Sequence, residues 1–248
     1  MASERGGVHL DFTGRTVLVT GGTKGIGRVI AETFGRAGAD VVVCARSEPE
    51  QPPPGLFVQT DVRDPAACRA LVDAAVERFG RLDVLVNNAG GSPDADAATV
   101  SPRFVEKIVA LNLLAPFYVA QAANDVMRTQ DGGGSIVNIG SVSAIDPQPG
   151  TAAYSAAKAG LRTLTRALAL EWGPTVRVNH ITAGLIRTET TDYTEQTAGL
   201  IPLGRLATPE DVANACAYLA SDLAGYVTGA DLAVHGGGEV PARYVVNP

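Results

Sequence analysis

The sequence predicts an α/β fold: one doubly wound parallel sheet between two layers of helices, three layers in a single domain. Three observations predict it. Short β-branched apolar runs recur along the chain, helix-period stretches separate them, and the 248 residues are 46% hydrophobic against 19% charged. Continuous apolar runs suit strands covered on both faces, and strand–helix–strand alternation implies parallel strands joined by crossover helices. A chain of this size buries about three quarters of its unfolded surface, and its composition is not that of a disordered one.

The elements follow in order. Residues 15–20 are β-branched and end in glycines, the mark of a first strand, and helical periodicity occupies 25–37. A second strand is expected at 40–45. The next stretch, 47–55, holds Pro49, Pro52, Pro53 and Pro54, which cannot form a helix interior. Strands two and three are therefore expected to be joined by an extended loop. Helices at 65–79, 101–127, 152–172 and 209–220 then alternate with strands at 82–86, 135–139 and 176–179. Ser101-Pro102 and Thr208-Pro209 each set an N-cap hydroxyl before a proline at the first helical position.

Several function classes are excluded at this stage. The net charge of −6 argues against a nucleic-acid partner, which would need a basic face. Residues 1–13 show no apolar segment of a signal peptide, and no run is expected to span a membrane. Cys44, Cys68 and Cys216 share no metal-ligand spacing, so no metal is expected and buried thiols in a cytoplasmic protein are.

Residues 20–27, Thr-Gly-Gly-Thr-Lys-Gly-Ile-Gly, follow the first strand and open the first helix. Glycines at 21, 25 and 27 let the backbone turn sharply and approach a ligand, and the helix beyond points free N–H groups at it. A pyrophosphate suits that turn; an unliganded glycine-rich turn is the plainer alternative. Tyr154 and Lys158 stand one helical turn apart in 152–172. An ammonium about 6 Å from a phenol, at an effective dielectric near 20, lowers the phenol's pKa by roughly two units from about 10. That brings Tyr154 into the range of a general acid–base. An ordinary helix carries such a pair often enough that the spacing alone decides nothing.

Together these motifs resemble the short-chain dehydrogenase/reductase family, in its branch of ordinary length and near its 3-oxoacyl-acyl-carrier-protein-reductase-like members. The resemblance runs through Gly21-x-x-x-Gly25-x-Gly27, Asp61-Val62, Asn87-Asn88-Ala89-Gly90, Asn112, Ser141, Tyr154-x-x-x-Lys158, Val178-Asn179, Gly184, Thr188, 202–205 and Gly236-Gly237. It implies a Rossmann-type sheet and hydride transfer between a nicotinamide cofactor and a carbonyl or secondary alcohol. Tyr154 would move the proton, Lys158 would lower its pKa and hold the nicotinamide ribose, and Ser141 would bind the substrate oxygen. Asn112 would hold a water of the proton relay, and Ser143 is the rival for the serine role. Gly21, Thr23, Lys24, Gly25, Ile26 and Gly27 would cradle the pyrophosphate. Asp61, Val62, Asn88, Ala89 and Gly90 would line the adenosine half, and Gly184, Ile186 and Thr188 the nicotinamide half. Asn87 is read as a strand-bridging residue.

Family members that select NAD place a carboxylate at the end of the second strand. Here Ala45 holds that position, with Arg46 next and Lys24 across the corner, so NADP(H) is expected over NAD(H). Residues 185–206 are expected to form the substrate lid, and a homotetramer or homodimer is expected, with Leu161, Leu164 and Leu168 as a stripe available to a two-fold interface or, more plainly, part of the core. Enoyl reduction fits less well, because related enoyl reductases space tyrosine and lysine six residues apart. A cofactor-binding regulator or scaffold without turnover is the alternative from another class; it predicts damage to Ser141, Tyr154 or Lys158, and all three are intact. Ala183 and His235 depart from the family's usual proline and acidic residue.

Overall fold

The structure, a computed structural model, describes residues 10–189, 191 and 193–238. Most of the 1–13 extension and lid residue Thr190 lie outside the described residues. Seven strands form one parallel sheet in the order β3-β2-β1-β4-β5-β6-β7. They are β1 (Thr16–Thr20), β2 (Asp40–Ala45), β3 (Leu56–Gln59), β4 (Val84–Asn87), β5 (Gly134–Ile139), β6 (Val176–Ala183) and β7 (Asp231–Val234). β1, β4 and most of β5 are buried along their length, as their apolar runs require. β6 extends four residues past its expected end because its second half pairs with β7.

The helices are α1 (Gly25–Arg36), α2 (Pro65–Phe79), α3 (Pro102–Val109), α4 (Ala115–Met127), α5 (Ala152–Trp172), α6 (Glu195–Ala198) and α7 (Pro209–Ala220). α1 and α7 pack together on one face, through Ile30, Phe34, Val212 and Cys216. α2, α4 and α5 cover the other, through Leu71, Val119 and Leu168. Ser101 caps α3 by accepting from the Phe104 N–H, and Asp211 reaches back to the Thr208 N–H at the head of α7. β2 and β3 are joined by the loop 46–55 with no helix, as the prolines dictate.

Two expectations need correction. The expected helix 101–127 is broken into α3 and α4 by a π-helical turn, Ala110–Leu114, centred on Asn112. By length and composition, 102–127 would also qualify as a membrane span; in the fold α3 packs on α5, and α4 on α2 and strands β4 and β5. The leucine stripe of α5 is core: Leu161 and Leu168 are buried and Leu164 is packed against the core, so it offers no partner surface. The three cysteines are free and buried.

Candidate active site

β1 leads outward to β2 and β3 on one side, and the chain then crosses to β4 on the other. Neighbouring strand ends therefore diverge at β1 and β4, where doubly wound sheets open a crevice for ligands. The glycine turn lies there. Gly21 and Gly25 have φ of +64° and +52°, a region closed to most side chains. A β-carbon on Gly27 would sit 2.3 Å from Asn88 Nδ2. Asn88 Nδ2 donates to the Thr20 and Gly21 carbonyls, and Thr20 Oγ1 accepts from the Asn88 and Ala89 N–H groups. The Asn88 amide hydrogens thus hold the turn, which leaves its Oδ1 and backbone for any contact with a ribose.

Lys24 is the N-cap of α1 and makes no side-chain cap. The Gly25 N–H instead meets Glu189 Oε1, at 3.3 Å, from the lid segment. A carboxylate therefore stands at the positive end of α1, where the helix dipole and unpaired N–H groups favour an anion. The chemistry of this cradle fits a dinucleotide pyrophosphate, with Thr23, Lys24, Gly25, Ile26 and Gly27 around it. At the adenosine end, Arg63 binds Asp61 with Nε at 2.9 Å and Nη2 at 2.5 Å. That hydrogen bonding, more than the charge of Arg46, holds the Asp61 carboxyl below its ordinary pKa. Val62 turns its side chain into the core, so its contact with an adenine would be through backbone. Lys24 and Arg46 are exposed, and among the described residues neither forms an ion pair.

The catalytic candidates converge at the ends of β4 and β5. Lys158 is 4% exposed and donates to the Ile139 carbonyl at 2.7 Å. Asn112, fully buried in the π-turn, accepts from the Gly91 N–H and donates to the Gly91 and Ile108 carbonyls. A β-carbon on Gly90 would lie 2.9 Å from Asn112 Oδ1 and 3.2 Å from Lys158 Nζ, so only glycine lets these motifs meet. π-turns are common at functional sites, and this one aims Asn112 at the loop after β4. Both amide hydrogens are used there, and Oδ1 has a second lone pair with which it could accept from the expected water of the relay.

Ser141 lies two residues past the end of β5, as the N-cap of the short 3-10 turn Val142–Ala144, and its hydroxyl faces Tyr154. Its Oγ also accepts from the Ser143 N–H at 3.1 Å, so Ser143 enters as a backbone donor that orients Ser141. Burial pushes the Tyr154 phenol above its ordinary pKa, against the Ser141 hydrogen bond that lowers it, and Tyr193 of the lid adds to the rise. The expected two-unit lowering by Lys158 is therefore absent from the cofactor-free site. The reason is desolvation, which penalises phenolate and ammonium alike. It brings Lys158 itself down to about 8, and Nζ sits 5.8 Å from the Tyr154 ring centroid.

At the nicotinamide end, Gly184 lies against His235, where a β-carbon would come within 2.7 Å of it. Ile186 is buried and bridges to Ala207, and Thr191 Oγ1 takes the Thr188 N–H. This knits the start of the lid to the sheet. The cavity of about 240 Å³ beside it is lined by Leu185, Ile201, Leu203, Arg205 and His235 among others.

A family model described as Enoyl-(Acyl carrier protein) reductase matches residues 21–239, which includes every motif above. The chain is a short-chain dehydrogenase/reductase. Glucose 1-dehydrogenase 2 of Bacillus subtilis is 36% identical, covering 93% of this chain and 96% of its own. A 3alpha-hydroxysteroid dehydrogenase of Mediterraneibacter gnavus is 37% identical over 90% and 96%. The ligand-free aldohexose dehydrogenase of Thermoplasma acidophilum superposes with a TM-score of 0.87 at 30% identity, covering 92% and 95%. As a short-chain dehydrogenase/reductase the protein is an oxidoreductase of alcohol and carbonyl groups that uses a nicotinamide cofactor. A scaffold without turnover finds no support among these relatives. Sequence reasoning missed Arg63 and Glu189. Arg63, two residues from Asp61, was open to a local reading, whereas Glu189 meets Gly25 only through the fold.

Proposed function

We propose that this short-chain dehydrogenase/reductase prefers NADP(H) and uses Tyr154 as its general acid–base on a secondary alcohol or ketone. The observation that carries the catalytic reading is the meeting of half-buried Ser141 and Tyr154 with the buried Lys158, whose Nζ lies 5.8 Å from the Tyr154 ring centroid. The bound cofactor supplies or accepts the hydride. Tyr154, kept protonated by burial, gives its proton to the carbonyl oxygen during reduction. Ser141, its oxygen already oriented by the Ser143 N–H, donates to the same oxygen and stabilises the charge that grows there. Lys158 sets a positive charge beside the phenolate that forms, so the electrostatic gain arises late in the step and not in the resting site. Asn112 holds the 90–91 loop, and hence the Lys158 side of the cradle, in place.

The coenzyme preference rests on Ala45, Arg46 and Lys24: no carboxylate ends β2, and two exposed cations face that corner. The lid at 185–206 would close over the substrate, and assembly as a homotetramer follows the family's habit. A sugar or a hydroxysteroid would each present the secondary alcohol this chemistry needs. Tyr154→Phe tests the proposal. Turnover should fall roughly 10²–10⁴-fold while NADPH binding, read by fluorescence, is retained; near-wild-type turnover would overturn the role of Tyr154. Light scattering that shows a monomer at micromolar concentration would reject the tetramer.

A further inference from the structure

A row of polar side chains crosses four neighbouring strands, from the carboxyl ends of β4 and β5 through the middle of β6 to the start of β7. Asn87 pairs in register with Asn138, Asn138 with His180, and His180 with Asp231. Equal register on parallel strands puts these side chains on one face, and their bonds show it is the face under α4 and α5. Asn87 donates to Asn138 and to the Pro116 carbonyl, Asn138 donates to Thr165, and Arg162 of α5 donates to Asp231. The Asn87–Asn138–Thr165 portion ties strands to helices. Asp231 is likewise tied to α5 by Arg162, but among the described residues the His180 ring makes no bond to a helix.

His180 is 1% exposed. Its Nδ1 lies 2.8 Å from Asp231 Oδ1, which also accepts from Thr182 Oγ1 at 2.7 Å. Its Nε2 is buried without a partner, an arrangement that folded proteins avoid unless something requires it. The ring rests on Gly140, where a β-carbon would come within 2.1 Å of both Cε1 and Nε2. Gly140 joins Ile139, whose carbonyl holds Lys158, to Ser141, whose hydroxyl meets Tyr154. One side chain thus touches the link through which both polar contacts of the site are fixed.

The charged groups facing His180 are Asp231 from β7 and Lys158 and Arg162 from α5; β5 contributes Asn138 and backbone at this row. Burial lowers the histidine's pKa, Asp231 raises it, and Lys158 and Arg162 lower it, with a net fall. The neutral ring then donates from Nδ1 to Asp231 and leaves Nε2 a bare acceptor. Arg162 shares Asp231, but its side chain is 46% exposed, so solvent screens its charge more than that of the buried carboxylate–imidazole pair.

We propose that His180, oriented by Asp231, is a positioning residue for the Ser141–Lys158 corner: its ring braces the Gly140 link, and the pair supplies negative potential that favours the charged form of Lys158. The inference rests on the functional reading above, in which Lys158 is the working cation. Its test does not need turnover. The chain has three lysines, Lys24, Lys107 and Lys158, so carbon-13 lysine labelling yields a spectrum in which Lys158 is assigned by its loss in Lys158→Met. The titration midpoint of Lys158 is measured in the cofactor-free wild type, in Asp231→Asn, which keeps the shape, and in His180→Phe. Both variants should lower it by about 0.5–1 pH unit, as a nearby charge or dipole at intermediate dielectric would. In both, kcat at neutral pH should fall about 3- to 10-fold with cofactor KM changed less than about twofold, the separation expected of a transition-state effect. A midpoint within about 0.2 unit of wild type in Asp231→Asn overturns the inference, whatever His180→Phe does to folding. If the wild type reduces no carbonyl and oxidises no alcohol with either coenzyme, the functional reading fails, and the lysine titration still decides this one.

Discussion

The two ends of the cofactor crevice are built on opposite electrostatic principles. At the candidate catalytic corner, Lys158 and Asn112 are buried and Ser141 and Tyr154 half-buried, and lost water is the largest influence on the pKa values of Tyr154 and Lys158. At the corner proposed for the adenosine, Lys24 and Arg46 are exposed and the Asp61–Arg63 pair is half-exposed. Buried charges act strongly but cost stability; exposed charges cost little and are screened. In the proposed function, the first end does the chemistry and the second chooses between coenzymes.

Substitution at the buried end should separate stability from activity. Lys158→Met should lower turnover by at least about 10²-fold, as loss of an acid–base partner does. The same change should stabilise the cofactor-free protein at pH 7 by roughly 1–3 kcal/mol, since it removes a desolvated ammonium. The folded pKa of about 8 lies below the ordinary 10.5. The unfolded chain therefore binds the extra proton, the penalty is present in full below about pH 8, and it vanishes as pH rises toward the unfolded value. Melting curves of both proteins at pH 7 and pH 10 check this: the gap should narrow at the higher pH, and a variant less stable than wild type at pH 7 would show that the ammonium's hydrogen bond to Ile139 outweighs its desolvation. Carbonyl reduction by the wild type should likewise decline above about pH 8 as Lys158 loses its proton.

The exposed end should respond more weakly and to salt. Lys24→Ala with Arg46→Ala should reduce the preference for NADPH over NADH by about 10- to 100-fold in kcat/KM, the worth of two charge-assisted bonds after screening. Raising ionic strength should shrink the wild-type preference in the same direction. Equal efficiency with both coenzymes in the wild type, or unchanged selectivity in the double variant, would remove the assignment. The smallest effect joins the two ends. Glu189 holds the lid to the head of α1 where a phosphate would bind, so Glu189→Gln should tighten coenzyme binding about 2- to 5-fold, the size of one helix-terminus interaction. Calorimetric titration with NADPH measures it, and weaker binding in the variant would mean that Glu189 shapes the lid without competing for the cradle.

Much of the architecture is legible in the chain's local patterns. The apolar runs carry the strands, the prolines at 49 and 52–54 carry the loop after β2, and the ordered motifs carry the family, because each signal is local and repeats with the period of its element. The failures share a cause. The leucine stripe of α5 reads the same whether it faces a partner or the chain's own sheet. Helical spacing sets Tyr154 near Lys158, yet the sign of the phenol's shift depends on how much water the lid and β5 exclude.

The sequence alone determined the strand and helix order, the glycine turn and the residues available for proton and hydride chemistry, since backbone preference and local spacing decide these. Only the tertiary structure decided that Gly90 admits Asn112 and Lys158 to one point, that Asn112 sits on a π-turn, that Glu189 meets the Gly25 N–H, and that His180 leans on Gly140 with Asp231 behind it. Burial and most of these contacts arise between residues tens of positions apart, and the energy of a charge depends on the solvent those distant segments remove.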